Sequence, residues 1–363
     1  MTGDRSAATP FDLIALGEVM LRLDPGDSRI RTARHFTAWE GGGEYNVARA
    51  LRKCFGRPTA IVTALVDNEI GRLIEDLIWQ GGVDTRFIVW RPCDGVGRTL
   101  RNGLNFTERG FGVRGALGVP DRGHTAAAAL SASDVDIGSI LTTTGVRWLH
   151  TGGVFAGLSD ATAELTLTAV RAARAHGVRT SYDLNYRPSL WRGVGGMARA
   201  QAVNRSILPH VDVLIGNEED FTAALGFAVA GPEDYRNYDP AAYAAMMAEV
   251  AAAYPTVQVI AATQRTVETA NVNGWGAIAW SADTGIVEAT YRPRLEILDR
   301  VGGGDGFASG LIDGLLRGDG LGRAVELGAA HGALAMTTPG DTSMATLAEV
   351  VALADGGSAR VRR

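Results

Sequence analysis

The sequence predicts an α/β protein in which a mostly parallel central sheet carries helices on both faces and a small β lid. Two observations carry that prediction. Short apolar runs alternate with stretches of helical periodicity along most of the 363 residues, which is the rhythm of parallel strands joined by crossover helices. Residues 19–39 and 96–123 break the rhythm, being rich in Arg, Gly and Thr and poor in helical spacing, so they are expected to form the lid.

Residues 11–17 read as a buried first strand, 44–55 as a helix ended near Gly56, and 60–65 as the second strand. A helix over 70–79 leads to a strand over 85–90. Further short apolar strands are expected at 146–151, 178–183, 211–215 and 257–262, with helices at 161–176, 198–208, 221–225 and 241–253 among them. Such strands, apolar on both faces, belong to a covered parallel sheet. Residues 295–298 read as a short strand and 307–316 as a helix, and the chain from Leu321 onward is mainly helical. One domain is expected over 11–355, with the lid segments inserted in it and tails at 1–10 and 356–363.

The bulk numbers exclude several classes. Hydrophobic residues are 46% and charged residues 21% of the chain, so a core of ordinary size forms. A formal charge of −5 without a Lys/Arg cluster gives no attraction to nucleic acid or an anionic membrane. Cys54 and Cys93 are too few for a disulfide framework, and no run of 18 apolar residues is present, so a cytoplasmic protein is expected. Lys53 is the one lysine, and its surroundings match neither a Schiff-base site nor a P-loop. The six histidines (35, 124, 150, 176, 210 and 331) never take metal-ligand spacing, and no Gly-x-Ser-x-Gly elbow occurs, so a protein-held metal and serine-hydrolase chemistry are not expected.

Residues 299–310, Asp-Arg-Val-Gly-Gly-Gly-Asp-Gly-Phe-Ala-Ser-Gly, set glycines and an acid between a strand and a helix. Backbone N–H groups at a helix start are unpaired and favour an anion, so Gly302, Gly303 and Gly304 are candidate anion-holding residues. Asp305 sits where a carboxylate could take a proton from a hydroxyl approaching that anion. With no usable lysine, backbone groups and arginine must hold any phosphate.

Three further segments stand at strand ends or helix starts. Residues 40–48 (Glu-Gly-Gly-Gly-Glu-Tyr-Asn-Val-Ala) form a second glycine loop opening a helix, readable as a tight turn or as a ligand loop. Residues 181–188 (Ser-Tyr-Asp-Leu-Asn-Tyr-Arg-Pro) follow a strand, and Arg187 there could fork onto a carboxylate or simply be held by Asp183 at the surface. Residues 215–220 (Ile-Gly-Asn-Glu-Glu-Asp) place acids at a helix start, for stability or to orient hydrated magnesium.

In this order the segments resemble the ribokinase-like (PfkB) carbohydrate kinases, over about residues 11–350. Residues 299–310 are similar to that family's Asp-x-x-Gly-x-Gly-Asp-x-Phe-x-x-Gly signature, with Gly303 where alanine is usual. Residues 41–48 and 183–191 are most similar to 2-keto-3-deoxygluconate kinases. The resemblance implies a ribokinase-like fold, ATP and Mg²⁺ as cofactors, and a small sugar acid as partner. It implies Asp305 as base, with Arg187 and the lid residue Arg122 on the sugar-acid carboxylate. Gly42, Gly43, Asn46 and Asn185 would hold the sugar body, and a homo-oligomer is expected. Asn217, Thr263, Arg265, Gly276, Ala329 and His331 fall where nucleotide contacts are expected. Arg22 stands where ribose and adenosine kinases carry a sugar-binding aspartate, which points away from a neutral pentose. Two departures accompany the likeness. Residues 262–276 are longer than the usual Lys-x-Gly-x-x-Gly and lack its lysine, and Asp220 replaces a glutamate. A fructokinase or 5-keto-2-deoxygluconate kinase would keep every motif, a dinucleotide-binding oxidoreductase would leave Asp305 without a role, and a non-catalytic sugar-binding protein stays open because fold does not fix function.

Overall fold

The computed structural model describes residues 10–228 and 239–357. Fourteen strands are present among them: β1 Leu13–Leu16, β2 Met20–Asp24, β3 Thr37–Gly41, β4 Thr59–Val66, β5 Asp84–Arg91, β6 Leu104–Glu108, β7 Leu117–Asp121, β8 Trp148–Gly152, β9 Arg179–Asp183, β10 Val213–Gly216, β11 Val259–Thr269, β12 Val272–Ser281, β13 Gly285–Glu288 and β14 Arg292–Glu296. Ten of them make one sheet in the order β13-β12-β11-β10-β9-β8-β1-β4-β5, with β14 also on β12. From β11 to β5 every neighbouring pair is parallel.

The alternation of side chains along each strand divides the core into two layers. In β1, Ile14 and Leu16 join one apolar cluster while Leu13 and Ala15 join the other. All eight residues of β4 are buried, as a parallel strand covered on both faces requires. The covering helices have local reasons to start where they do. Asn68 accepts from the Gly71 amide to open Glu69–Gly81, and Ser159 and Thr162 form a capping box before Asp160–Ala175. Among the described residues no helix is long and apolar enough to cross a membrane.

The two irregular segments contribute a separate four-stranded sheet, in the order β3-β2-β6-β7. β2 is antiparallel to β3 and parallel to β6. β3 then runs directly into the helix Gly43–Lys53, so the small sheet is tied to the second glycine loop.

Three expectations require correction. Residues 262–276, read as a variant nucleotide loop after a six-residue strand, continue that strand into an antiparallel hairpin of β11 and β12. The strand expected at 295–298 is displaced to Arg292–Glu296, a mostly exposed polar segment at which propensity is a weak guide. Residues 221–225 wind as a π-helix, Phe221–Leu225, rather than as an α-helix.

Candidate active site

Asp305 lies in the first turn of the helix Gly303–Arg317, whose N-cap is Gly302 with φ 82°. An alanine at 302 would be strained there, and its Cβ would fall 2.2 Å from the Asp341 carbonyl oxygen. The first helical bond runs from the Gly306 amide to the Gly302 carbonyl at 2.8 Å. The amides of Gly303, Gly304 and Asp305 precede it and are the orphan donors of the helix start. A Cβ at Gly303 would crowd the Met336 sulfur at 2.9 Å, but one at Gly304 would meet nothing within 4 Å. Of the triplet, Gly304 is the residue that opens onto free space.

The second glycine loop comes to the same point across 259 residues of chain, because Asn46 Nδ2 donates to Asp305 Oδ2 at 2.7 Å. Asn46 is itself oriented by the Gly42 amide, which donates to its Oδ1 at 3.3 Å. One side of Gly42 is closed, since a Cβ on it would lie 1.9 Å from the Glu18 carbonyl oxygen. Gly43 is more open. A Cβ on it would stand 3.6 Å from Asp305 Oδ1 and 3.7 Å from Asn185 Nδ2. Asp305, Gly43 and Asn185 therefore border one small space, and Asn185 does so from a positive φ of 36°, a strained conformation of the kind that gathers at functional sites.

Several acids share this space, and burial dominates their titration. It pushes Asp305 up to about 6, against the Asn46 hydrogen bond; Asp341 raises the value further and Arg187 lowers it. Glu44 is pushed up to about 7 by burial, with amide hydrogen bonds opposing and Asp305 adding to the rise. Asp183 is held well above the usual carboxylate range by burial and by Asp220 and Asp305, with Arg187 opposing. A carboxylate near 6 is mostly ionised at neutral pH and still basic enough to accept a hydroxyl proton.

Arg187 lies exposed beside these acids. Arg122, expected on the sugar-acid carboxylate, is paired with Glu18: its Nε donates to Glu18 Oε2 at 2.9 Å and its Nη2 contacts the same oxygen. Asn217 and Asp220 cap one another through their backbone amides at 2.9 and 3.0 Å, and Asp220 Oδ1 also accepts from the Tyr186 amide at 2.7 Å. That carboxylate fastens the strand end bearing Arg187 to the next helix start. Among the described residues no group of three or more His, Cys, Asp or Glu could hold a metal ion.

The residues expected at the nucleotide divide. Thr263 and Arg265 lie half-buried on β11. Gly276 is closed off, because a Cβ on it would meet the Tyr291 ring at 2.8 Å. Ala329 and His331 are fully buried in the helix Leu321–Ala335. The Ala329 carbonyl accepts from Trp275 Nε1 at 2.9 Å, and His331 bonds the hydroxyls of Ser309 and Ser343 at 2.9 and 2.8 Å. Burial drives the His331 imidazole down to about 4, so it is a neutral, buried polar group at neutral pH.

Sequence reasoning missed Asp341 and Glu18, which brace the glycine segment and Arg122. The Gly340-Asp341 pair following a helix was the available signal for the first; Glu18 carried none.

Residues 146–347, more than half of the chain, match the pfkB family carbohydrate kinases. The chain belongs to this family. It is 33% identical to the 2-dehydro-3-deoxygluconokinase of Thermotoga maritima, whose crystal structure superposes with a TM-score of 0.86 over 95% of this chain and 99% of that one. A 2-dehydro-3-deoxygalactonokinase of Haloferax volcanii is 27% identical over 97% of this chain and 99% of its own length. A 5-dehydro-2-deoxygluconokinase of Shouchella clausii is 27% identical over 95% and 96% respectively. This pfkB-family kinase accordingly has the ribokinase-like fold, and the oxidoreductase and non-catalytic alternatives fall away.

Proposed function

We propose that this kinase transfers the γ-phosphoryl group of ATP to the primary hydroxyl of a sugar acid, 2-keto-3-deoxygluconate giving its 6-phosphate. The observation that carries the reading is the placement of Asp305. Its carboxylate is held by Asn46 at the mouth of a helix whose free amides can receive the phosphoryl charge. The names of the three relatives support a dehydro-deoxy sugar acid, and exposed Arg187 supplies a cation for its carboxylate.

In this mechanism Asp305 takes the proton of the attacking hydroxyl as the new O–P bond forms, and the bond from phosphorus to the ADP oxygen breaks. The amides of Gly303 and Gly304 stabilise charge on the transferring group, and positioning supplies much of the rate. Asn46 fixes the rotamer of the base, and Asn185 and Gly43 border the space for the sugar. The carboxylates fit a hydrated Mg²⁺ brought by the nucleotide better than a protein-held one, with Asp220, pushed up to about 6 by burial, still mostly ionised nearby at neutral pH. Mg²⁺ would neutralise the phosphates.

Arg187→Ala should raise KM for the sugar acid by roughly 10- to 100-fold while leaving a neutral hexose little affected, since a charge-assisted hydrogen bond is lost. Equal losses on both sugars would remove the clamp. ADP release measured across 2-keto-3-deoxygluconate, 2-keto-3-deoxygalactonate, 5-keto-2-deoxygluconate and fructose tests the substrate directly. The highest kcat/KM is expected on a 2-keto-3-deoxy acid, and a preference for fructose would overturn the sugar-acid reading.

A further inference from the structure

Arg22, which stands where ribose and adenosine kinases carry a sugar-binding aspartate, has a completely buried side chain that reaches three carboxylates. Its guanidinium contacts Asp24 at 3.0 Å on its own strand, Asp341 at 2.5 Å, and Asp299. The last two lie 319 and 277 residues away. They belong to the two loops that frame the glycine triplet. Asp299 opens the glycine segment and turns its other oxygen to the Val301 amide at 3.1 Å. Asp341 is wedged between sheet and loop: its Oδ2 stands 2.2 Å from where a Gly41 Cβ would be, and its carbonyl 2.2 Å from where a Gly302 Cβ would be.

One buried cation therefore joins the small sheet, the start of the glycine segment and the loop packed against Gly302. The other charges around it are Glu40 on β3, Arg49 on the helix Gly43–Lys53, which pairs with Glu40 at 2.8 Å, and Arg109 after β6, 3.6 Å from Asp24. On the helix beyond the glycines stands Asp305, with Glu44, Asp183 and Arg187 on its cleft side. A cation buried among carboxylates is weak evidence for stability, since apolar packing could often replace it. A role in fixing geometry is the alternative.

We propose that Arg22 is a positioning residue for phosphoryl transfer, an internal cation that clamps Asp299 and Asp341 to strand β2 and so fixes the glycine helix start and Asp305 opposite Asn46. The inference rests on the kinase reading of the Asp305 site but not on the identity of the sugar. It predicts more than loss of fold. Without Arg22 the Asp341 charge near Asp305 is less compensated, so the base is harder to ionise and the acid limb of the kcat profile moves to higher pH.

The test uses the full-length enzyme with whichever sugar the parent phosphorylates, comparing Arg22→Ala and Arg22→Lys with it. For Arg22→Ala, kcat should fall roughly 10²-fold, the loss that a small misplacement of reacting groups brings, with KM for sugar changed much less. Millimolar guanidinium chloride should restore part of kcat and return the acid limb, whereas equal ionic strength of sodium chloride should not. If the alanine variant does not fold, Arg22→Lys decides: it keeps the charge but not the planar fork, and should lose kcat while its Tm stays near the parent's. A folded variant with parental kcat and acid limb overturns the proposal, as does a loss that follows Tm alone and ignores guanidinium. Failure of the kinase reading would show separately, as a parent enzyme that phosphorylates no sugar.

Discussion

Asp305 gathers three separate influences at one carboxyl group: burial, the Asn46 amide and the charges of Asp341 and Arg187. With a value near 6 in the folded enzyme, it should set the acid limb of the kcat profile. Activity is then expected to rise with pH to a midpoint of about 6 and to stay level above it until other groups titrate. A profile flat down to pH 4.5 would show that ionised Asp305 is not required. The candidate base was legible in the sequence because a glycine run ending in an acid at a helix start is a local pattern. Asn46 as its partner was not, since the two residues meet only through the tertiary fold. Arg22 shows the same limit. In the sequence it stood out only as a replacement for a sugar-binding aspartate, and only the approach of Asp299 and Asp341 from distant segments explains why it is buried.

At the level of elements, the strand ends and helix starts were legible, and the nucleotide side was not. The alternation of strands and helices located β1, β4, β5, β8, β9 and β10; β1, β4 and β10 are short apolar runs, whereas β9 (Arg-Thr-Ser-Tyr-Asp) is mostly polar in sequence yet buried at its centre. It failed at β11 and β12, where Gln264, Arg265 and Thr266 interrupt the apolar pattern and are carried into a hairpin by pairing with β12. The surroundings of Ala329 and His331 were illegible for a related reason: their helix is covered by Trp275 from that hairpin. The glycine triplet itself makes a sharp prediction. Gly302→Ala forces a Cβ toward the Asp341 carbonyl from a left-handed backbone, and the strain alone is worth about 1–2 kcal/mol. Its Tm should fall by several degrees. Gly304→Ala meets no neighbour within 4 Å and should leave Tm unchanged while lowering kcat, because the methyl intrudes where the phosphoryl group must sit. Equal Tm values for the two variants, measured by calorimetry, would contradict this account of the loop.

Across the whole molecule, the site concentrates acids that folding does not favour in ionised form. Glu44, 3% exposed, has its value raised from 4.5 to about 7 chiefly by burial. A carboxyl raised in this way is neutral in both states at low pH and penalises the folded state once ionised, so its stability contribution declines as pH climbs from about 4.5 to 7. Glu44→Gln keeps an oxygen for the amides that Glu44 accepts from and removes the charge. It should raise Tm at pH 8 by about 2–4 °C, corresponding to roughly 1 kcal/mol, and have little effect at pH 4.5. An equal shift at both pH values would refute the buried-charge explanation. The same acids make the fold serve the chemistry: the parallel sheet delivers Asp183, Asn185 and Arg187 from one strand end, the small sheet delivers the Gly43 loop, and the glycine helix delivers Asp305. The central claim is that Asp305 is the base of a sugar-acid kinase, and the turnover of Asp305→Asn with saturating ATP, Mg²⁺ and 2-keto-3-deoxygluconate tests it most directly. The account predicts a fall in kcat of about 10²- to 10⁴-fold with Tm and sugar binding retained, and a variant that turns over at the parent rate would contradict it.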